Sequence, residues 1–222
     1  MNIKSYIIYN IYILYMSFLF IIIGQVRCLN TFNKLLDKLK FEDVIYSGYS
    51  DDIIHFDLKK DTDFVTISDT SEIIKLLPKK LNKSYFQRNM IQWFHLHNCI
   101  VNKYNKIKGY DFIVKIRTDA IIQEDINLFK EKISNIDDDT IYFKTDKMFI
   151  SKSQCFLENF KHFYDSIECL EKGMWASEQQ TKTFIKKKFK KSYCIKTLNL
   201  KVTYINRGNF IKKPGEGRTI IF

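Results

Sequence analysis

The chain is short of several things at once, and each shortage excludes something. Of 222 residues only two are proline and seven are glycine. That is too few for a collagen-like repeat, a low-complexity linker or a turn-dense β-sandwich. Alanine occurs only at Ala120 and Ala176. Cys28, Cys99, Cys155, Cys169 and Cys194 are too widely spaced for a zinc ribbon, a finger or a C-x-x-C redox pair. An odd, scattered set reads as reduced, buried thiols in preference to a disulfide framework. No G-x-G-x-x-G and no G-x-x-x-x-G-K-[ST] occurs. Neither a dinucleotide fingerprint nor a P-loop nucleotidase is therefore written here.

Hydrophobic residues make up 45% of the chain and aromatics 15%, enough for a packed core, which excludes a wholly disordered protein. Lysine and arginine number 36 against 25 acidic residues, a net charge of +11. Ile, Lys, Asn, Tyr and Phe all have AT-rich codons, so part of this basic bias is genomic, and a nucleic-acid partner is not expected from charge alone. No internal repeat or linker interrupts the chain, which reads as one domain.

The N-terminus supports two readings. No charge falls between Lys4 and Arg27, and residues 6–23 are almost wholly apolar, a length that suits a membrane-spanning helix. A signal peptide fits less well, because no small-x-small cleavage site follows. Phe18-Leu-Phe-Ile-Ile-Ile23, ending at Gly24, also has the β-branched and aromatic character of a buried parallel strand before its turn. The strand reading is preferred. It leaves residues 1–16 as a hydrophobic extension able to anchor the chain, with Met16 as an alternative start, and 17–222 as the folded domain. The expected location is cytoplasmic with membrane association through the N-terminus; a type II anchor is the alternative.

Beyond Gly24, Leu29, Phe32, Leu35, Leu36 and Leu39 recur at helical spacing, and Val44–Ser47 is a second strand. Residues 53–57 and 64–68 read as strand-like pieces. Residues 84–104 form a long helical pattern, with Phe86, Met90, Trp93, Phe94, His97 and Val101 on one face. Strands follow at 112–116, 140–144, 148–150 and 201–205, and helices at 126–133, 153–169 and 177–190. This alternation predicts an α/β fold with a mostly parallel sheet flanked by helices.

In such sheets ligands bind outside the carboxyl ends of the strands, and three predicted strand ends carry polar residues. Gly24-Gln25-Val26-Arg27 offers a close backbone approach, helix-start amides and a bidentate cation for an anion. Its plain alternative is a βα turn with a surface arginine. Ser47–Asp52 ends the second strand. There Asp51 and Asp52 read as a solvated loop in preference to a nucleotide or metal site. Arg117-Thr118-Asp119 ends a buried strand, where an aspartate can hold a divalent cation, a ribose or an acceptor hydroxyl. The alternative is a surface ion pair of little energetic consequence.

Five stretches in order carry a family resemblance: Ile21-Ile-Ile-Gly-Gln-Val-Arg27, Ile45-Tyr-Ser-Gly-Tyr49, Gln87-Arg-Asn-Met-Ile-Gln92, Phe112-Ile-Val-Lys-Ile-Arg-Thr-Asp119 and Ala176-Ser-Glu-Gln-Gln180. Together the chain resembles the WavE-type lipopolysaccharide-biosynthesis family of small glycosyltransferases and its bacterial and viral relatives. The match covers about residues 18–190. The resemblance implies a GT-A-like, Rossmann-like nucleotide-sugar-binding sheet with a metal-binding D-x-D motif. It implies transfer of a sugar from a nucleotide donor to a glycan, lipid or protein acceptor. By the same resemblance Gly24, Gln25 and Arg27 line the donor pocket. Arg88 and Gln92 reach the sugar diphosphate. Asp119 is the last Asp of D-x-D, a catalytic and metal-binding candidate for Mn or Mg. Glu178 is the acceptor-side base. Arg117 replaces the first Asp of the motif, which puts the metal in question and offers a fixed cation for the leaving group in its stead.

Other residues have plainer readings. His95 and His97 lie about 200° apart on a helix and cannot chelate together, so they read as core or surface histidines. Asp137–Asp139 and Lys186–Lys191 read as solvated, and Asp146 as an acceptor-side candidate. Ser177-Glu-Gln-Gln180 is equally a capping box. Pro214–Arg218 reads as a terminal turn, and Asn82-Lys-Ser84 as a glycosylation sequon only in a secretory lumen. Two competing functions stay open: a basic, non-enzymatic protein anchored to a membrane or bound to nucleic acid, and a degenerate transferase that binds donor without turnover.

Overall fold

The structure is a computed structural model that describes residues 16–56, 62–68, 83–160 and 177–204, with the backbone alone over 83–90 and 177–180. Residues 1–15 lie outside it, and with them almost all of the proposed N-terminal extension. Phe18–Ile23 forms β1, as the strand reading expects. Every residue of β1 is buried, so alternate side chains feed opposite cores. Phe18, Phe20 and Ile22 join one; Leu19, Ile21 and Ile23 join the other. A strand covered on both faces must be apolar throughout, and this one is.

The chain then alternates. Helix α1 (Leu29–Lys38) follows β1, with Phe32, Leu35 and Leu36 on its buried face. Strands β2 (Asp43–Tyr49) and β3 (Thr62–Ile67) come next, then the long helix α2 (Lys83–Lys108), whose regular geometry breaks at Lys103. Strands β4 (Phe112–Arg117) and β5 (Ala120–Ile122) precede α3 (Ile126–Ile133). Asp125 caps α3 by accepting from the backbone N–H groups of Asn127 and Leu128, two of the donors that a helix start leaves unpaired. Strands β6 (Thr140–Lys144) and β7 (Met148–Lys152), helices α4 (Ser153–Phe160) and α5 (Ser177–Lys188), and short strands β8 (Lys191–Cys194) and β9 (Val202–Tyr204) complete the described chain.

Seven strands make one sheet in the order β3-β2-β1-β4-β7-β6-β8, and β5 pairs with β9 in a small second sheet. All neighbours in the large sheet are parallel except β7, which runs antiparallel to both β4 and β6. The expected α/β layer with a mostly parallel sheet flanked by helices is therefore what forms. Helices α1 and α3 cover one face through Phe32, Leu35, Phe129 and Ile133. Helices α2, α4 and α5 cover the other, where Trp93 stacks on Phe149 and Phe160.

Four details depart from the sequence expectations. Residues 53–56, expected as strand, belong to a 3-10 helix (Ser50–Phe56). On α2, Val101 is 61% exposed, whereas Leu96, Cys99 and Ile100 are buried; the sheet, not the strongest apolar spacing, selects the buried face. Strands β5 and β8 are additional. Of the thiols, Cys99 and Cys155 are buried as expected, but Cys28 is half-buried and Cys194 exposed; all four are free. Cys169, the sequon Asn82 and the 214–218 turn lie outside the described residues. Among the described residues no helix is long and apolar enough to cross a membrane.

Asp52 overturns its reading as part of a solvated loop: it is 4% exposed. Its Oδ2 accepts from the Val26 N–H at 3.1 Å and lies 2.6 Å from the Tyr46 hydroxyl. That hydroxyl is also 2.9 Å from the Gly24 carbonyl, so the 3-10 helix, β2 and the turn after β1 meet in one buried polar knot. Gly48 makes room for it, because a Cβ there would stand 2.0 Å from the Tyr46 hydroxyl oxygen. Gly48→Ala is therefore expected to cost about 2–3 kcal/mol, from overpacking and a displaced buried hydrogen bond. Thermal unfolding should show a Tm roughly 5–10 °C lower; an unmoved Tm would mean that Tyr46 can leave the knot freely.

Candidate functional site

Three strand ends converge. The Gly24 N–H donates to the Ser47 carbonyl at 3.1 Å, tying the turn after β1 to β2. The Thr118 hydroxyl donates to the Gln25 carbonyl at 2.7 Å, tying the same turn to the end of β4. Gly24 has φ +109°, a conformation that a side chain would strain. Chain connections leave β1 towards β2 on one side, while β4 flanks it on the other, with α1 and α2 on opposite faces. Ligands lodge at such a switch point, and a small cleft opens there. It is bordered by Gly24, Gln25, Arg27, Tyr49, Gln92, His95, Arg117, Thr118 and Asp119. It encloses about 50 Å³, room for a few waters or one phosphate-sized group.

One wall is charged. Arg117 is only 7% exposed and binds Asp119 through two hydrogen bonds, Nε to Oδ1 at 2.9 Å and Nη2 to Oδ2 at 2.6 Å. Its Nη1 stands 3.8 Å from the Asp146 carboxylate. Beneath it Lys115, fully enclosed, donates to the backbone carbonyl of Asp146 and lies 4.9 Å over the Phe149 ring. Burial pushes the Lys115 ammonium down to about 7, against the opposing pull of Asp146. Asp146, an acceptor-side candidate from sequence, lies within the ion cluster at the end of β4.

Uncharged groups border the same cleft. His95 has no exposed surface, and burial pushes its imidazole down to about 4. Among the described residues neither ring nitrogen has a hydrogen-bond partner, and the Gln92 Oε1 is likewise buried without one. Native proteins rarely leave such atoms unpaired, and here they border a cleft. The plain reading of His95 as a core histidine holds for its burial and misses its place. Only the unequal packing of α2, which buries His95 and leaves His97 partly exposed, separates the two.

Six of the eight site residues expected from sequence thus border one cleft: Gly24, Gln25, Arg27, Gln92, Arg117 and Asp119. Arg88 lies on α2 one turn before Gln92, and Glu178 in the first turn of α5; their side chains lie outside the description. Sequence reasoning missed His95 and Tyr49 as cleft residues and Asp52 as the support of the turn.

A divalent cation fits these residues poorly. Both oxygens of Asp119 are held by a guanidinium, which stands where the cation would sit. Among the described residues no group of three or more His, Cys, Asp or Glu side chains is placed to hold a metal ion.

No family model and no curated protein sequence matches the chain. Solved structures share its path at low identity. Mouse xyloside xylosyltransferase 1, in its apo form, is 9% identical over 76% of this chain and 80% of its own, with a TM-score of 0.43. A Bacillus anthracis protein described as a glucose-1-phosphate thymidylyltransferase, in complex with sucrose, is 11% identical over 85% and 89%, with a TM-score of 0.40.

The two buried bases set opposite ends of the stability profile. A free histidine titrates near ~6.5, so below that pH the unfolded chain takes up a proton that folded His95 refuses. Stability is therefore lost as pH falls from about 6.5 towards about 4. Lys115 binds its proton more weakly than the unfolded chain does, so its contribution rises with pH from about 7 towards its ordinary value of 10.5. Urea midpoints measured across this range should show the acid slope flattened in His95→Gln and the alkaline rise flattened in Lys115→Met. Slopes identical to wild type would show that these groups are not excluded from water.

Proposed function

We propose that this chain is a GT-A-like glycosyltransferase that takes a nucleotide sugar as donor and a glycan, lipid or protein hydroxyl as acceptor. The observation that carries the reading is convergence. Residues as far apart in sequence as Gly24, Gln92 and Asp119 border a single cleft at the carboxyl ends of β1, β2 and β4. Their chemistry suits a sugar diphosphate. Arg27 and Arg117 bring positive charge to phosphate oxygens. Gly24 lets backbone approach the ligand closely. Gln92 and uncharged His95 offer donors and acceptors to hydroxyl or amide groups.

In the reaction the acceptor oxygen forms a bond to the anomeric carbon. The bond from that carbon to the diphosphate oxygen breaks, and its electron pair leaves on the phosphate. The guanidinium of Arg117 neutralises that growing charge within a buried site, where such stabilisation counts most. The acceptor proton passes to a base, for which Glu178 is the proposed group. Asp119 bears on the chemistry through Arg117, whose guanidinium it orients.

Arg27→Ala should raise the donor KM about tenfold, the consequence of one lost charge-assisted contact, with kcat nearly unchanged. Glu178→Gln should lower kcat by about 10²–10⁴ with the donor KM unchanged. Both are read from sugar transfer or donor hydrolysis over a panel of nucleotide sugars. Indifference to every nucleotide sugar, together with steeply salt-dependent binding to anionic vesicles or DNA, would transfer the assignment to the anchored basic protein. Donor binding without turnover would identify a degenerate transferase.

A further inference from the structure

We propose that the carboxyl edge of the sheet holds a diphosphate without a divalent cation, Arg117 and three lysines beyond it supplying the positive charge. The identity of the nucleotide rests on the reading above; the recognition of the diphosphate does not.

Beyond Arg117, on the side away from Gly24, the edge continues into the β6–β7 turn and the short 3-10 helix after β8 (Ile195–Leu198). These place Lys144, Lys147 and Lys196 together. Lys144 Nζ lies 4.9 Å and Lys147 Nζ 5.6 Å from the centre of the Tyr204 ring. Among the described residues none of the three pairs with a carboxylate, although lysines elsewhere do: Lys106 with Asp63, Lys130 with Glu42, Lys132 with Glu124 and Lys191 with Asp137. Burial, and then repulsion from Lys147 and Lys196, holds the Lys144 ammonium below its usual range.

The Tyr204 ring lies beneath two of these lysines. Its hydroxyl is buried with no hydrogen-bond partner among the described residues, within electrostatic reach of Asp119, Arg117 and Asp146. Crowded like charges and an unpaired buried hydroxyl are both unfavourable. A polyanion with several acceptor oxygens relieves both at once. Arg117 retains donors for it, because Asp119 occupies only Nε and Nη2 and the Nη1–Asp146 separation of 3.8 Å is beyond hydrogen bonding.

Around the end of β4, among the described residues, Arg117, Lys144, Lys147 and Lys196 outnumber the carboxylates of Asp119 and Asp146. The charge a metal would supply to a diphosphate is thus already fixed in side chains. Asp119, with both oxygens bound to Arg117, is a positioning residue for the guanidinium.

The test uses the full chain and calorimetric titration. The probes are inorganic pyrophosphate and a panel of nucleoside diphosphates, each with EDTA and again with Mn²⁺ or Mg²⁺. Pyrophosphate is expected to bind equally well in both conditions. Binding should weaken at least about tenfold in the triple variant Lys144→Gln/Lys147→Gln/Lys196→Gln, as several charge-assisted contacts are lost. The double variant Arg117→Gln/Asp119→Asn removes both charges of the pair and leaves Asp146 with Lys115 as its neighbouring cation, so it should fold and bind equally weakly. Binding that needs the cation, or that is unchanged in folded variants, overturns the inference. Pyrophosphate binding in EDTA without binding of any nucleoside diphosphate upholds this site and removes the nucleotide-sugar reading. No binding of any probe overturns both.

Discussion

Strand β1 is the constraint on which the rest depends. It has a strand on each edge and a helix layer on each face, and none of its residues reaches water. Its backbone groups are consumed by β2 and β4, and its side chains by two separate cores. Polar chemistry therefore has nowhere to emerge except where the strand stops. That is Gly24, whose positive φ turns the chain and whose carbonyl is met by Tyr46. The arrangement is costly to alter at any point, because each residue serves two interfaces in a closely packed interior.

The same enclosure explains the charges beside it. Lys115 and Arg117 occupy alternate positions of β4 on the face that is apolar elsewhere in the strand. Burying two cations is unfavourable unless they are paired and hydrogen-bonded. Asp119 and Asp146 supply the partners, the first through a bidentate guanidinium bond and the second through both its carboxylate and its backbone carbonyl. Buried ion pairs of this kind can often be replaced by apolar residues of similar volume without loss of stability. Gln92 and His95 border the same cleft, which thus combines charged groups with uncharged donors and acceptors.

Much of this was legible in the linear chain. The apolar run at Phe18–Ile23, the helical spacing after Gly24 and the buried strand ending at Arg117 are strong local signals, and the structure carries each of them. Weak local signals failed for identifiable reasons. Strand β5 has three residues, too few for a period to register. Strand β8, Lys-Ser-Tyr-Cys, has no apolar alternation and pairs because β6 leaves an edge open beside it. Residues 53–56 have strand-like composition but curl into a 3-10 helix, carrying Asp52 to the Gly24 turn.

The sequence by itself determined the order of strands and helices, and which strand ends bear polar residues, since periodicity and turn chemistry are properties of neighbours along the chain. Tertiary structure alone decided which of those polar residues meet. Asp51 and Asp52 are the same residue type at adjacent positions, yet only Asp52 is buried, because the 3-10 helix turns it towards Tyr46 and Val26. His95 and His97 differ in the same way, through the face of α2 that packs on β2. The approach of Asp146 to Arg117 and the crowding of Lys144, Lys147 and Lys196 depend on β7 entering antiparallel beside β4, with β6 and β8 outside it. Those distances are set by pairing across the sheet, and no local pattern encodes them.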